Sequence, residues 1–397
     1  MGRKFQGAAV SAQSARSVYQ INLQQECGGG EVYTRFFSMA LVAIGYRVVL
    51  FVSRKAGYWE SLLPAGVELV RVEGAADILP ALPRERSLVV TQTALDADAA
   101  QWVAERHVLC GFVHMPLYER DPAGFRHYHL LLAVSRHVLD SVRGRGYGKV
   151  FAEPMFGVAD PRRGATGGAI VARSEYDWDR RKLRDRLLGL TEPWWRMHQS
   201  PAEFSKKPGL TLGIVSRLTP IKQFPLMFGM LAPLIARFPR VNLEIFGSGG
   251  YASVRDLRAS LAPIAKQVRF WGHQPDVAAV YPQLDFVLSG LPEKEALGLN
   301  LIEAQYCGTP VLAVNAAPFT ETVIDGRTGF FFSDPREDGG ESFAQLLQRL
   351  LGGTARPDPR QAAAHLERFS FAAFCERVAR ALDAIAASAP RVAAVPT

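Results

Sequence analysis

The chain has 397 residues, 48% apolar and 21% charged, which excludes a disordered protein and is enough for two doubly wound domains rather than one. Its 46 basic and 38 acidic residues leave a net charge of +8. That balance fits a soluble basic protein, a nucleic-acid binder or an enzyme of anionic ligands beside an anionic membrane, and does not choose among them.

Residues 1–17 lack the apolar core of a signal peptide. Residues 17–23 (SVYQINL) read as a strand, followed by Gly28, Gly29 and Gly30 and a helical pattern over 31–43 that Gly45 stops. Residues 46–52 (YRVVLFV) form a near-continuous apolar run, the pattern of a parallel strand buried on both faces. Runs at 67–72, 87–91, 107–113 and 130–135 continue the series, so β-α units and a parallel sheet are expected. From about 157 to 208 the character changes to clustered Gly, Pro, Arg and Trp, with a helix expected over 176–188.

The alternation then resumes. Strands are expected at 210–215, 242–246, 268–271, 286–288 and 310–314, and helices at 225–238, 254–264 and 298–307. Residues 370–387 read as an amphipathic helix. The expected organisation is an N-terminal Rossmann-like domain over 1–170, completed by helix 370–388, a linker over 171–208 and a C-terminal Rossmann-like domain over 209–369. No period of 20–50 residues repeats, which argues against solenoids and propellers. The longest apolar stretches, 41–52 and 226–238, are broken by Gly, Arg or Pro, so any membrane contact is expected to be peripheral. Cys27, Cys110, Cys307 and Cys375 show no metal-type spacing, and a reduced, cytoplasmic compartment fits them.

Ligands of open parallel sheets bind beyond the carboxyl ends of the strands, so the loops there carry the candidate chemistry. In residues 289–310 (SGLPEKEALGLNLIEAQYCGTP), Glu295 and Glu303 flank an expected helix start at Gly298. A helix N-terminus offers unpaired N–H groups and partial positive charge to a phosphate. Glu303, further along that helix, suits a vicinal diol; an ordinary acidic helix start is the bland alternative. In residues 213–224 (GIVSRLTPIKQF), a strand delivers Arg217, and Lys222 follows across Pro220. Two cations from one loop suit a diphosphate, Arg as a planar fork and Lys as a mobile charge; solvated loop cations are the alternative. Gly28 to Gly30 permit close backbone approach to a ligand, or make a tight turn. G-x-G-x-x-G is absent, which weakens a nicotinamide or flavin reading. His114, in GFVHMP, ends a strand, where its ring or backbone reaches a sugar or serves the core.

Together these segments resemble the retaining, GT-B-fold glycosyltransferases of family 4. The likeness rests on E-A-L-G-L-N-L-I-E-A-x-x-C-G-T-P-V (295–311), S-R-L-x-P-x-K (216–222), F-G-S-G (246–249), F-W-G (270–272) and D-G-R-T-G-F (325–330), in the family's order. It is strong over about 210–332 and diffuse in the N-terminal half. It implies an α/β, GT-B architecture of two doubly wound Rossmann-like domains facing each other across a cleft. By the same resemblance Arg217 and Lys222 bind the donor diphosphate, and the backbone of Gly298, Leu299 and Asn300 adds N–H groups. Glu303 holds the ribose, and Glu295 binds sugar hydroxyls near the reacting centre. His114 lies at the C6 side of the sugar, Gly29 and Gly30 face the phosphates or acceptor, and Gly272 and His273 lie near the base. The sequence departs from the family at Leu288-Ser289-Gly290, at Leu297 and at Glu31, without loss of a charged group.

The expected donor is a nucleoside-diphosphate sugar, UDP favoured and GDP the alternative, and the acceptor a glycan or lipid-linked glycan of bacterial surface polysaccharide or lipopolysaccharide. No metal or other cofactor is expected, because Arg217, Lys222 and the helix terminus supply preorganised charge. Asp96-Ala97-Asp98 and Asp177-Trp178-Asp179 have the Asp-x-Asp spacing of metal-dependent transferases, but read better as a helix start and part of a charged run. The basic runs 143–149, 162–163 and 180–186, with Trp178, Trp194 and Trp195, suit peripheral contact with anionic lipid at the inner membrane face, or a solvated surface. Rival readings are a GT-B epimerase or sugar phosphorylase and a non-catalytic sugar-nucleotide-binding subunit. Nucleic-acid binding is disfavoured because basic and aromatic residues do not interleave. The oligomeric state is not legible.

Overall fold

The computed structural model describes residues 16–159, 168–178, 183–197 and 202–388. The chain divides into two compact units. The first contains residues up to Gly157, apart from the short segment Ser135–His137, and takes back the C-terminal residues from Phe371; the second is Val158–Ser370 with that segment.

Unit 1 is built on six strands: β1 Ser17–Asn22, β2 Arg47–Ser53, β3 Val67–Val72, β4 Leu88–Thr91, β5 Val108–Val113 and β6 Leu130–Ala133. All pair in parallel, in the order β3-β2-β1-β4-β5-β6. Six of the seven β2 residues and all of β5 are buried, as continuous apolar runs require when helices cover both faces. The helix Gly29–Ala43 follows β1 and buries Tyr33, Phe36, Phe37 and Leu41. The C-terminal helix Phe371–Ser388 belongs to this unit. Its Phe374 ring meets Tyr33 edge-on at 5.6 Å, and Arg377 donates to the Phe156 carbonyl at 2.9 Å.

Unit 2 holds β7 Leu210–Val215, β8 Val241–Phe246, β9 Val268–Phe270, β10 Phe286–Leu288, β11 Val311–Val314 and β12 Gly329–Phe332. They too are parallel, in the order β12-β11-β10-β7-β8-β9. Both sheets thus run outward over three strands, return to the first and continue on its other side. The switch points lie between β1 and β4, and between β7 and β10.

Two expectations need correction. The unit boundary falls at Gly157–Val158, and residues expected to be linker are built into the unit 2 core. Ile170 is buried there, and Ala172, Tyr176 and Phe204 pack against the same cluster. The helix expected over 176–188 instead spans Leu183–Met197, carrying Gly189 and Pro193 inside it. Among the described residues, no helix is long and apolar enough to cross a membrane.

Candidate functional site

The switch point of unit 2 gathers most of the expected donor residues. Val287 of β10 lies opposite Gly213 of β7, so both strands release their next loops at the same sheet edge. The loops touch. Lys222 Nζ donates to Glu295 Oε2 at 2.5 Å, with 25% and 16% of their side chains exposed. Gln223 Nε2 donates to Glu293 Oε2 at 3.3 Å, and Asn300 Nδ2 to the Val215 carbonyl at 3.1 Å, where β7 ends. A Cβ on Gly290 would stand 3.0 Å from the Lys222 carbonyl, so glycine lets the two loops close together.

Arg217 extends from this edge into solvent, and its guanidinium has no hydrogen bond or ion pair among the described residues. The helix Leu299–Tyr306 starts at Gly298, whose φ of +80° is a left-handed conformation that glycine tolerates. No side chain caps that start. The N–H groups of Leu299 and Asn300 precede the first turn bond, from Leu301 N to the Gly298 carbonyl at 3.0 Å. An exposed arginine, a lysine held by a carboxylate and an uncapped helix terminus therefore share one loop cluster.

Glu303 sits one turn along this helix. Its Oε2 accepts from the hydroxyl of fully buried Tyr281 at 2.9 Å. Burial raises its carboxyl to about 7, and the Tyr281 bond opposes that rise. Tyr281 was not legible as a site residue, because its role depends on a partner 22 residues away.

Gly272 and His273 lie apart, beyond edge strand β9 and two strands, roughly 10 Å, from β7. Gly272 has φ +66°, and a Cβ there would stand 2.3 Å from the Ser174 carbonyl. This glycine is required by the segment packed over it. Trp271 beside it donates to Glu244 Oε2 at 2.7 Å, and Arg269 grips both oxygens of the same buried carboxylate. Of the motif over 270–272, Trp271 is thus structural, while His273 is exposed.

Unit 1 has a second cluster at its own switch point. His114 follows β5 and bonds Gln92, which follows β4, at 2.8 Å between Nε2 and Oε1. The ring lies edge-on to Tyr33 at 5.1 Å and stacked on Phe112 at 5.8 Å. Burial lowers its pKa to about 4, so it is neutral at pH 7. Gly29 and Gly30 open the helix after β1; a Cβ on either meets no atom within 4 Å, and neither has a positive φ. Local packing does not explain these glycines.

The sequence alternatives also separate. Asp96 caps the helix Ala97–Arg106 by accepting from Ala99 N at 2.8 Å, as a helix-start residue should. Asp179, Arg162, Arg163, Arg180 and Arg181 lie outside the described residues. Trp178 is half-buried with its indole bonded to Glu192, whereas Trp194 is exposed.

Residues 197–363 match the family of glycosyl transferases group 1. The matched span lies within the second unit. The chain is 36% identical over 170 residues to the D-inositol 3-phosphate glycosyltransferase of Rhodococcus opacus, covering 40% of this chain and 37% of that one. It is 32% identical over 159 residues to the GDP-mannose-dependent alpha-(1-6)-phosphatidylinositol monomannoside mannosyltransferase of Mycolicibacterium smegmatis, covering 38% and 39%. The chain thus spans under two fifths of the length of these relatives. Among solved structures, Anabaena HepE in complex with UDP aligns over 93% of this chain and 100% of its own, with TM-score 0.66 and 17% identity. Sucrose-phosphate synthase from Thermosynechococcus elongatus aligns over 94% and 100%, with TM-score 0.65 and 16% identity. The two six-stranded parallel sheets are those of the GT-B fold.

Proposed function

We propose that this chain is a retaining glycosyltransferase that moves a sugar from a nucleoside-diphosphate sugar to a glycan or lipid-linked glycan. The observation that carries the reading is the convergence of Arg217, Lys222, Glu295 and the uncapped helix Leu299–Tyr306 at the switch point of a glycosyl transferases group 1 domain. Arg217 and Lys222 take the diphosphate, with the N–H groups of Leu299 and Asn300 beside them. As the sugar–phosphate bond breaks, negative charge grows on the leaving oxygen, and these fixed cations stabilise it without reorganisation. Glu295 holds Lys222 in place before the donor arrives and then meets the sugar hydroxyls. Glu303, ionised, accepts from the ribose diol. Attack comes from the front face, the leaving phosphate taking the acceptor proton, and the anomeric configuration is retained. Gly272 and His273 flank the base, and neutral His114 with Gly29 and Gly30 meets the sugar and acceptor side.

UDP is the favoured nucleotide and GDP the alternative; the names of the relatives and the UDP in HepE support testing both. The acceptor belongs to bacterial surface-polysaccharide or lipopolysaccharide assembly at the cytoplasmic face of the membrane. D-inositol 3-phosphate joins the acceptor panel because the Rhodococcus relative is named for it. No metal is required in this reading.

The test is a thermal-shift screen of nucleotide sugars, followed by slow hydrolysis and transfer assays. A saturating cognate donor raises the melting temperature by about 5 °C and then loses its sugar with retained configuration. No stabilisation by any donor, or turnover that depends on inorganic phosphate, rejects the transferase. Loss of turnover with chelator, restored by magnesium or manganese, rejects the metal-free site.

A further inference from the structure

The helix Leu183–Met197 turns its acids toward the protein and Leu183, Leu187 and Leu190 toward solvent. Asp185 and Glu192, its two carboxylates, are both buried. Glu192 accepts from the Trp178 indole, and a Cβ on Gly189 would stand 3.1 Å from the Trp178 ring. Trp178, Tyr176 and Tyr251 stack on one another, with Trp178 4.8 Å from Tyr176 and 6.3 Å from Tyr251 and the tyrosines 6.0 Å apart, so this face of the helix rests on an aromatic platform. Arg184 donates to Asp185 at 3.0 Å and lies 4.7 Å over the Tyr251 ring.

The opposite face is apolar. Leu183, Leu187, Leu190 and Trp194 are 71%, 57%, 72% and 74% exposed. Spacings of four, three and four place them along one stripe of a helix. The described residues include seven exposed large hydrophobics, and four of them stand on this stripe. Such clustering marks a contact surface, where scattered single residues do not. The charges around it have one sign. Arg184 and Arg186 are exposed, no carboxylate of the helix faces outward, and the sequence just before it reads Arg180-Arg181-Lys182.

We propose that this helix lies flat on an anionic lipid bilayer, with Leu183, Leu187, Leu190 and Trp194 in the acyl boundary and Arg186 among the lipid phosphates. Leucine and tryptophan beside arginine suit the bilayer interface, and a chain of net charge +8 is drawn to an anionic leaflet. A second copy of the chain fits less well: two-fold pairing through this helix would set its arginines against their own equivalents. The proposal concerns where the chain meets lipid, and it does not depend on the transfer reaction.

Co-sedimentation with vesicles tests it. The full chain should partition onto phosphatidylglycerol–phosphatidylethanolamine vesicles and much less onto phosphatidylcholine, with binding weakened by salt. Leu187→Glu combined with Trp194→Glu should weaken partitioning at least about tenfold, because two apolar contacts become charges. Arg186→Glu should reduce the preference for anionic vesicles by a separate route. Unchanged circular dichroism and melting show that the variants fold. A wild-type chain that stays in solution with anionic vesicles overturns the proposal, as does a double variant that binds like wild type. So does self-association in sedimentation velocity that the double variant abolishes without vesicle binding, since a second copy would then cover the stripe.

Discussion

Arg217 and Lys222 stand on one loop in different states. Lys222 is already neutralised by Glu295, whereas Arg217 faces solvent with its charge uncompensated among the described residues. Arg217→Ala should therefore lower kcat about 10²- to 10³-fold, measured with the cognate donor, while melting stays close to wild type. A variant with near-normal kcat would reject its role. In the proposed roles, Glu295→Gln should cut turnover more than nucleoside-diphosphate affinity, because it would remove the sugar contact and leave Lys222 able to reach phosphate. Glu303 links the site to pH. Its carboxyl, raised to about 7 by burial, gains charge as pH rises through neutrality, and in the proposed role only the ionised form would accept both ribose hydroxyls. Donor affinity should improve from about pH 6 to about pH 8, and Glu303→Gln should flatten the profile in calorimetric titration. The sign for stability is opposite. A carboxyl raised in the folded state contributes stability that is full below its unfolded value of about 4.3 and is lost as pH rises through about 7. Melting temperature should therefore carry a downward component over that window, absent in the variant.

At the scale of elements, the glycines at loop ends divide by cause. Gly272 combines positive φ with a carbonyl at Cβ range, so Gly272→Ala should cost about 2 kcal/mol or more in a denaturant titration. Gly29 meets nothing, so Gly29→Ala should leave stability unchanged or slightly raised, by up to about 1 kcal/mol. Lost turnover in that variant would mark a ligand at the open face; normal turnover would reject its site role. The same physics decides what the sequence reveals. Parallel strands buried on both faces read as apolar runs, and β10 begins and ends where its run does; the partly buried edge strand β3 also keeps its expected bounds. The helix Leu183–Met197 was misplaced because Gly189 and Pro193 are breaker signals and its apolar stripe faces away from the core. Strand β12, GFFF, was read only as part of a motif, since four residues carry too little period. Ordered motifs pointed to Arg217, Lys222 and Glu295 as candidates. Their pairing across 73 residues came only from strand register, as did the bonds of Gln92 to His114 and Tyr281 to Glu303.

For the molecule as a whole, the two sheets share one strand order but differ in continuity along the chain. Unit 2 is nearly one uninterrupted stretch, whereas unit 1 borrows the helix Phe371–Ser388 from the far side of unit 2. That helix supplies fully buried Phe374 and Val378 to the unit 1 core. Phe374→Ala should cost about 3–5 kcal/mol. Hydrogen exchange should locate the loss in amides of β1 to β6, with those of β7 to β12 unaffected; uniform loss across both sheets would contradict this division.

The borrowed helix also sets the order in which a growing chain can finish. Residues 371–388 leave the ribosome after all of 158–370, so the half made first waits, short of one wall, while the half made second already has its full complement of strands. During that interval the unit 1 surface destined for Phe374 and Val378 is open to water, so a nascent chain stalled before residue 371 presents a client surface for chaperones on its earlier-made half.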